Sequence, residues 1–155
     1  MEVILKKQIL SIVATLAIIL PMSIIGFAGL TGRVTANIPF DFMIGGKEFK
    51  AGRYSVDRLY SNNPEGALRI RSTNDSAMAN FNVINITDKG APQARLVFNR
   101  YGNQYFLSQV YDGLGGGGNQ LIKSKAEREA AKKRDTITQN AAKPEIVTVV
   151  AQIRQ

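Results

Sequence analysis

The sequence predicts an all-β domain, a small antiparallel β-barrel or β-sandwich of about seven or eight strands. Three observations carry this expectation. Residues Ala94 to Tyr111, ARLVFNRYGNQYFLSQVY, are two β-rich runs joined by Gly102-Asn103, a pair suited to two-residue turns whose twist matches that of paired strands. From Arg33 to Ile44, Val34, Ala36, Ile38, Phe40, Phe42 and Ile44 alternate with a second, mostly polar set. Between these stretches, short β-rich runs are separated by regular turn signals with no helical pattern between them, which disfavours parallel βαβ winding.

The first thirty residues stand apart. Lys6 and Lys7 precede an uncharged apolar run from Gln8 to Gly32. A basic stretch followed by an apolar helix is what the export machinery reads, so residues 1–28 are expected to be a signal peptide, cleaved after Ala28 or, as second choice, after Ala36. The alternative is an uncleaved membrane anchor over residues 8–30, because about 20 apolar residues suffice to cross a bilayer. Pro21 in the middle of the run favours a signal. Either way the folded part is expected outside the cytoplasm, periplasmic or secreted.

At 155 residues there is room for one domain. The expected β-domain covers 33–111. Arg33–Ile44 reads as one half-buried strand, with Pro39 marking an edge or a bulge because proline cannot donate to a ladder. Gly45-Gly46 ends it. Lys47 to Lys50 reads as a short strand, and Ala51-Gly52 turns the chain into Arg53–Leu59. Ala67–Arg71 and Met78–Ile86 are further strands, bounded by Ser61–Gly66, Ser72–Asp75 and Thr87–Pro92. In the hairpin, a two-residue turn sets Tyr101 opposite Gln104. Phe98 then faces Leu107, Arg100 faces Tyr105 and Ala94 faces Tyr111 on one side; Val97 meets Ser108, Asn99 meets Phe106 and Arg95 meets Val110 on the other. Each side is part apolar and part polar, so each is expected to cover some core.

After Tyr111 the composition changes. Residues 112–122 read as a Gly-rich tether. Ser124-Lys125-Ala126-Glu127 has the form of a capping box and predicts a charged helix over 123–134, followed by a polar loop. Residues 144–154, with Ile146-Val147-Thr148-Val149-Val150, predict a last strand returning to the β-domain.

Two stretches carry a resemblance. Val34-x-Ala36-x-Ile38-Pro39-Phe40-x-Phe42 with Ala51-Gly52-x-Tyr54-x-Val56, and Leu96-Val97-Phe98-x-Arg100-Tyr101-Gly102-x-Gln104-Tyr105-Phe106-Leu107 followed by Lys123-Ser124, resemble small exported β-rich proteins of soil bacteria, a family of hypothetical proteins. The likeness covers roughly 33–134 and departs at the glycine run and the tail from Asp135. The resemblance implies export and a compact β-domain, and it carries over no activity and no functional residue.

The chemistry is narrowed mainly by what is missing. The chain holds no histidine and no cysteine, which removes Ser-His-Asp triads, thiolate chemistry and the commonest metal ligands. No cofactor is expected. Gly113 to Gly118 matches G-x-G-x-x-G formally, yet no βαβ unit surrounds it. Asp75, Asp88 and Asp112 lack the spacing of a calcium loop. Asp41 and Asp57, near strand-borne aromatics, are the pair that could serve a carboxylate-based envelope hydrolase. The formal net charge is +8, and +7 once Glu2, Lys6 and Lys7 are removed with the signal, so anionic lipid or polysaccharide suits the exported part better than nucleic acid.

Two groups of residues remain as binding candidates. Arg100, Tyr101, Gln104 and Tyr105 at the hairpin tip offer aromatics beside a cation, although Arg100 over Tyr105 also reads as a stabilising cation–π pair. Lys125, Arg128, Lys132, Lys133 and Arg134 make the helix basic and able to meet an anionic surface, but it lacks a bulky apolar face and its i,i+4 pairs favour a plainly solvated helix. The expectation is an exported, non-catalytic β-domain with a binding or structural role in the cell envelope, toward a small apolar ligand, an anionic polymer, a lipid or a protein. The alternatives are the carboxylate hydrolase and a membrane-tethered structural protein with a lipid-facing basic helix.

Overall fold

Period-two alternation does set the fold. In the computed structural model, which describes residues 32–59, 66–87, 93–114, 117–138 and 143–154, the described residues are all-β with one helix. The expected signal or anchor segment lies outside the described residues. The strands are β1 (Arg33–Ile38), β2 (Phe42–Ile44), β3 (Lys47–Phe49), β4 (Gly52–Arg58), β5 (Ala67–Ser72), β6 (Met78–Thr87), β7 (Arg95–Tyr101), β8 (Gln104–Tyr111), β9 (Gly117–Leu121), β10 (Glu145–Val150) and β11 (Gln152–Arg154), with α1 (Lys125–Thr138) before β10. Among the described residues there are eleven strands, where seven or eight were expected.

The hydrogen-bonded order is β10-β7-β8-β9-β6-β5-β4-β1-β11, antiparallel throughout; off this path β2 pairs with β3 and makes one parallel bridge to β8 at Met43–Phe106. Two strands change partners along their length. Residues 78–82 of β6 pair with β5, and residues 83–87 pair with β9. Likewise β10 pairs with β7, and β11, one residue further on, pairs with β1. Ala151 between them donates its N–H to the Ala94 carbonyl at 2.9 Å.

The inward set of the alternation forms the core. Val34, Ala36 and Ile38 of β1 meet Tyr54 and Val56 of β4, Leu68 and Ile70 of β5, and Leu96, Phe98 and Val110 of the hairpin. Phe42 centres an aromatic cluster, with ring centroids 5.3 Å from Phe49, 5.1 Å from Tyr54 and 5.5 Å from Phe98. Such offset and edge-on contacts add to the area each ring removes from water.

Four expectations need correction. Arg33–Ile44 is not one strand. It breaks at Pro39, so that β1 pairs with β4 while β2 turns to β3 and β8; Asp41 in the break accepts the Ala51 N–H at 2.8 Å and tethers Lys50 at 2.9 Å. The inward alternation survives the break, which is why it read as continuous.

The hairpin register is as expected from Tyr101–Gln104 to Phe98–Leu107 and then slips. Val97 pairs with Gln109, Leu96 with Val110 and Arg95 with Tyr111, leaving Ser108 as the extra residue of a bulge. The slip sets Leu96 opposite Val110, both fully buried, and lays the Arg95 guanidinium 4.0 Å from the Tyr111 ring centroid.

The Gly-rich segment is not a tether over its whole length. Gly117–Leu121 is a strand between β6 and β8. The Tyr111 ring lies across Gly118, where an added Cβ would come within 2.4 Å of it, so glycine is what lets the ring cover this backbone. Gly113, at φ +75 and with a virtual Cβ 2.7 Å from the Ala94 nitrogen, is required by both conformation and space.

The helix extends to Thr138, past the expected end at Arg134, since neither glycine nor proline occurs between Ser124 and Lys143 to stop it. Nor is it simply solvated. One face packs on the outer side of β7 and β8, as described next.

Candidate functional site

Every third or fourth residue of α1 turns toward the sheet: Ala126, Glu127, Ala130, Ala131 and Arg134 are buried or half-buried, and the rest up to that point are exposed. Ser124 caps the start, its Oγ accepting the Glu127 N–H at 3.2 Å and its carbonyl the Arg128 N–H at 3.1 Å. The Glu127 side chain is directed into the interface. Its Oε1 accepts Asn99 Nδ2 at 2.7 Å, with the Tyr101 hydroxyl at 3.5 Å as a weaker partner. Ala130 and the flanking Ala126 and Ala131 pack on Tyr101 and Phe106, together with Met43 of β2. Small side chains allow the helix to lie close to the sheet. The second apolar side of the hairpin is thus covered by α1.

Docking brings the helix against the hairpin tip, and a cleft of about 460 Å³ opens between them. Arg100, Tyr101 and Gln104 line it from the tip, Lys133 and Arg134 from the helix, and Glu145 from the start of β10. Arg100 is held from three sides: Nε donates to the Gly102 carbonyl at 2.8 Å, Nη1 lies 3.3 Å from Glu145, and the guanidinium sits 5.3 Å from the Tyr105 ring centroid. Arg134 Nη1 donates to the Arg100 carbonyl at 3.2 Å and ties helix to tip. Among the described residues, three cations face one carboxylate here. Burial, and then the nearby Glu127 charge, push the Tyr101 hydroxyl above its ordinary range, so it stays a neutral donor at physiological pH.

The structure thus joins two groups that the sequence offered separately, but not all of either. Tyr105 lies outside the cleft, stacked on Phe40 with centroids 4.0 Å apart and planes 16° from parallel. Lys125 pairs with Glu129 at 3.9 Å, Arg128 donates to the Lys123 carbonyl, and Lys132 is on the exposed side. Glu145 and the Glu127–Asn99 contact had no sequence signal, because both depend on pairings distant along the chain.

Asp41 and Asp57 are held by separate partners. Asp41 is bound to Lys50 and the Ala51 N–H, which hold its carboxyl below the ordinary range, while Asp57 sits between Arg33 at 3.7 Å and Arg69 at 3.8 Å. The Ala51 nitrogen that holds Asp41 and the residue Asp57 are separated by the length of β4, roughly 20 Å of extended chain. Glycosidase carboxylates stand no more than about 10 Å apart. Among the described residues no group of three or more acidic side chains could hold a metal ion, and no helix is long and apolar enough to cross a membrane.

No protein-family model matches the sequence, and no curated protein or solved structure matches it.

Proposed function

We propose that this chain is an exported, non-catalytic β-domain of the cell envelope that binds a carboxylate-bearing saccharide in the cleft between hairpin tip and helix. The observation that carries the reading is the convergence of Arg100, Lys133 and Arg134 on one concave site where, among the described residues, the acid is Glu145. Guanidinium and ammonium groups beside amide and backbone donors suit a carboxylate set on a polar ring. The tip aromatics serve as support, since Tyr101 is buried and Tyr105 is stacked.

The scaffold in this reading is a closed barrel. What supports it is that residues 145–150 pair with β7 at one end of the strand path and residues 152–154 pair with β1 at the other, with Ala151 between them. Closure would remove the long free edge that an open sheet exposes. The inward positions are occupied by Phe42, Phe49, Tyr54, Phe98 and aliphatic side chains, which favours binding at the surface over carriage of an apolar ligand inside. A lipid-facing role for α1 is disfavoured because its small apolar residues already face the sheet.

The test is a titration of the full chain with galacturonate and with galactose, followed by backbone amide shifts. Galacturonate is expected to move Gly102, Asn103 and Lys133, and Lys133→Glu to abolish the movement. Equal response to both sugars, or none, would reject the site. Intact mass of the protein from its own cells tests export: a chain beginning after Ala28 supports cleavage, and one retaining Met1 supports an anchor.

A further inference from the structure

The outward positions of β11, β1, β4 and β5 form a surface that the sequence reading did not single out. Alternation places Arg33, Thr35 and Asn37 of β1 outward, with Arg53, Ser55 and Asp57 of β4, Ala67, Arg69 and Arg71 of β5, and Gln152 and Arg154 of β11. Register then assembles them. Arg33 stands opposite Arg154, Thr35 lies between Gln152 and Ser55, Asn37 opposes Arg53, Ser55 opposes Arg71, and Asp57 opposes Arg69. Five guanidiniums share one face with a single carboxylate, and that carboxylate is divided between Arg33 and Arg69. Among the described residues no carboxylate pairs with Arg53, Arg71 or Arg154. A cleft of about 600 Å³, distinct from the one at the hairpin tip, is cut into this face and is lined by Arg33, Arg53 and Arg154 with Thr35, Asn37 and Gln152.

Like charges directly opposite each other across an antiparallel pair are destabilising. On the Arg33–Arg154 rung Asp57 offsets part of that cost from the Arg33 side, and a bound anion would offset more of it. Every cation of the face is arginine, although the chain also carries lysines. The planar guanidinium fork binds carboxylate and sulfate in bidentate fashion, which a lysine ammonium cannot do. Neighbouring strands set these forks about 5 Å apart across the sheet, and outward positions recur about every 7 Å along it, so the array is a lattice and not a point site. Hydroxyl and amide side chains fill the intervals.

We infer that this arginine face binds a linear acidic polysaccharide carrying carboxylate or sulfate groups, with the Arg33–Arg53–Arg154 cleft as its anchoring position. A membrane surface is a poorer match, since among the described residues the apolar side chains on the surface here, Ala67 on β5, Val150 at the cleft and Met78 opposite Arg71, are scattered, and an interfacial contact needs a continuous bulky apolar face. A single-stranded nucleic acid is also a poorer match, because among the described residues of this face no aromatic ring stands for bases to stack on.

The test uses the full chain, calorimetric titration, and a heparin-derived octasaccharide beside a neutral dextran of the same length. The octasaccharide is expected to bind, the dextran not, and affinity to fall as salt is raised. Arg53→Lys/Arg154→Lys keeps the charge and removes two forks, and is expected to lose about tenfold in affinity. Lys132→Glu removes two units of charge outside both clefts and is expected to leave binding close to wild type. Arg71→Ala, exposed on β5, serves if the double variant fails to fold, with an expected loss of about threefold. Wild-type affinity in the Arg→Lys variant, absence of octasaccharide binding, or a Lys132→Glu loss as large as the double variant's would each overturn the inference. So would binding to phosphatidylglycerol vesicles, but not to the octasaccharide, that the same arginines control. Failure at this face leaves the galacturonate shifts at the hairpin tip untouched, so the two sites are judged separately.

Discussion

Replacing Glu127 by alanine tests what holds α1 on the sheet. The carboxylate is 4% exposed and accepts the Asn99 amide at 2.7 Å, with Asn99 itself 5% exposed. A hydrogen bond to a charged group contributes about 1.5–3 kcal/mol, and a buried donor left without an acceptor costs about 1–3 kcal/mol. These overlap, because the orphaned Asn99 amide is one consequence of the lost bond. Alanine also relieves the desolvation of the carboxylate, which offsets part of the loss. The expected net cost is about 2 kcal/mol. There is also a ceiling. The helix covers Tyr101 and Phe106 with little more than three alanines, so it leaves the sheet once the penalty exceeds its docking energy. Beyond that point the loss appears as local opening. Urea unfolding, followed by far-ultraviolet circular dichroism, should therefore show a lower midpoint. Amide exchange should accelerate across 125–134, while β1, β4 and β7 stay protected. Glu127→Gln keeps an acceptor and should cost less than about 1 kcal/mol. The double replacement Asn99→Leu/Glu127→Leu should recover much of what Glu127→Ala loses, because an apolar pair has no desolvated charge to satisfy. A Glu127→Ala protein with an unchanged midpoint and a protected helix would refute the argument that this contact docks α1.

Three further outcomes follow from the packing and the charges. Gly118→Ala places a Cβ against the Tyr111 ring and should destabilise by about 1–3 kcal/mol, seen as a drop of several degrees in Tm; an unchanged Tm would mean that the ring does not lie over this backbone. Tyr101 and Tyr54 are both held above their ordinary value of 10.0, chiefly by burial. The folded protein keeps these protons where the unfolded chain releases them, so stability is full below about pH 10 and falls as pH rises through the folded-state pKa values. Urea midpoints on either side of that pH check the sign, and a midpoint rising with pH would contradict it. Arg100→Ala removes the link to Glu145, a pair 34% and 57% exposed, and should cost under about 1 kcal/mol while abolishing the galacturonate shifts. A loss of stability with the shifts intact would reverse the role assigned to this residue.

The elements that could be read in the sequence are those fixed by local chemistry. Gly102-Asn103 set the turn, and the pairing it implies holds for the four rungs nearest the turn. It fails beyond Phe98 because a bulge adds one residue without disturbing composition. The better register is visible only when Leu96 and Val110 are asked to share one buried rung. Ser124 announced the helix, but the docked face of α1 is mostly alanine, which carries little hydropathy signal. Its attachment became clear only with Tyr101 and Phe106 opposite. The glycine run illustrates the reverse difficulty. Glycine is a poor strand former alone, yet next to Tyr111 it is the residue that allows the ring to close over the backbone.

The basic charge shows the same dependence on topology most clearly. Along the chain, the lysines and arginines of α1 form a dense cluster that draws the eye, while Arg33, Arg53, Arg71 and Arg154 are isolated residues scattered from one end of the β-domain to the other. Folding inverts that impression. Of the cations of α1, Lys133 and Arg134 line the cleft, Lys125 pairs with Glu129 and Arg128 donates to a backbone carbonyl. The scattered arginines are brought onto adjacent strands by the return of residues 152–154 to β1, a pairing that spans nearly the whole β-domain. Sequence proximity sets local charge density, but strand register determines which charges an extended ligand would meet together. For this chain that difference brings Arg33, Arg53, Arg71 and Arg154 together on one face of the sheet.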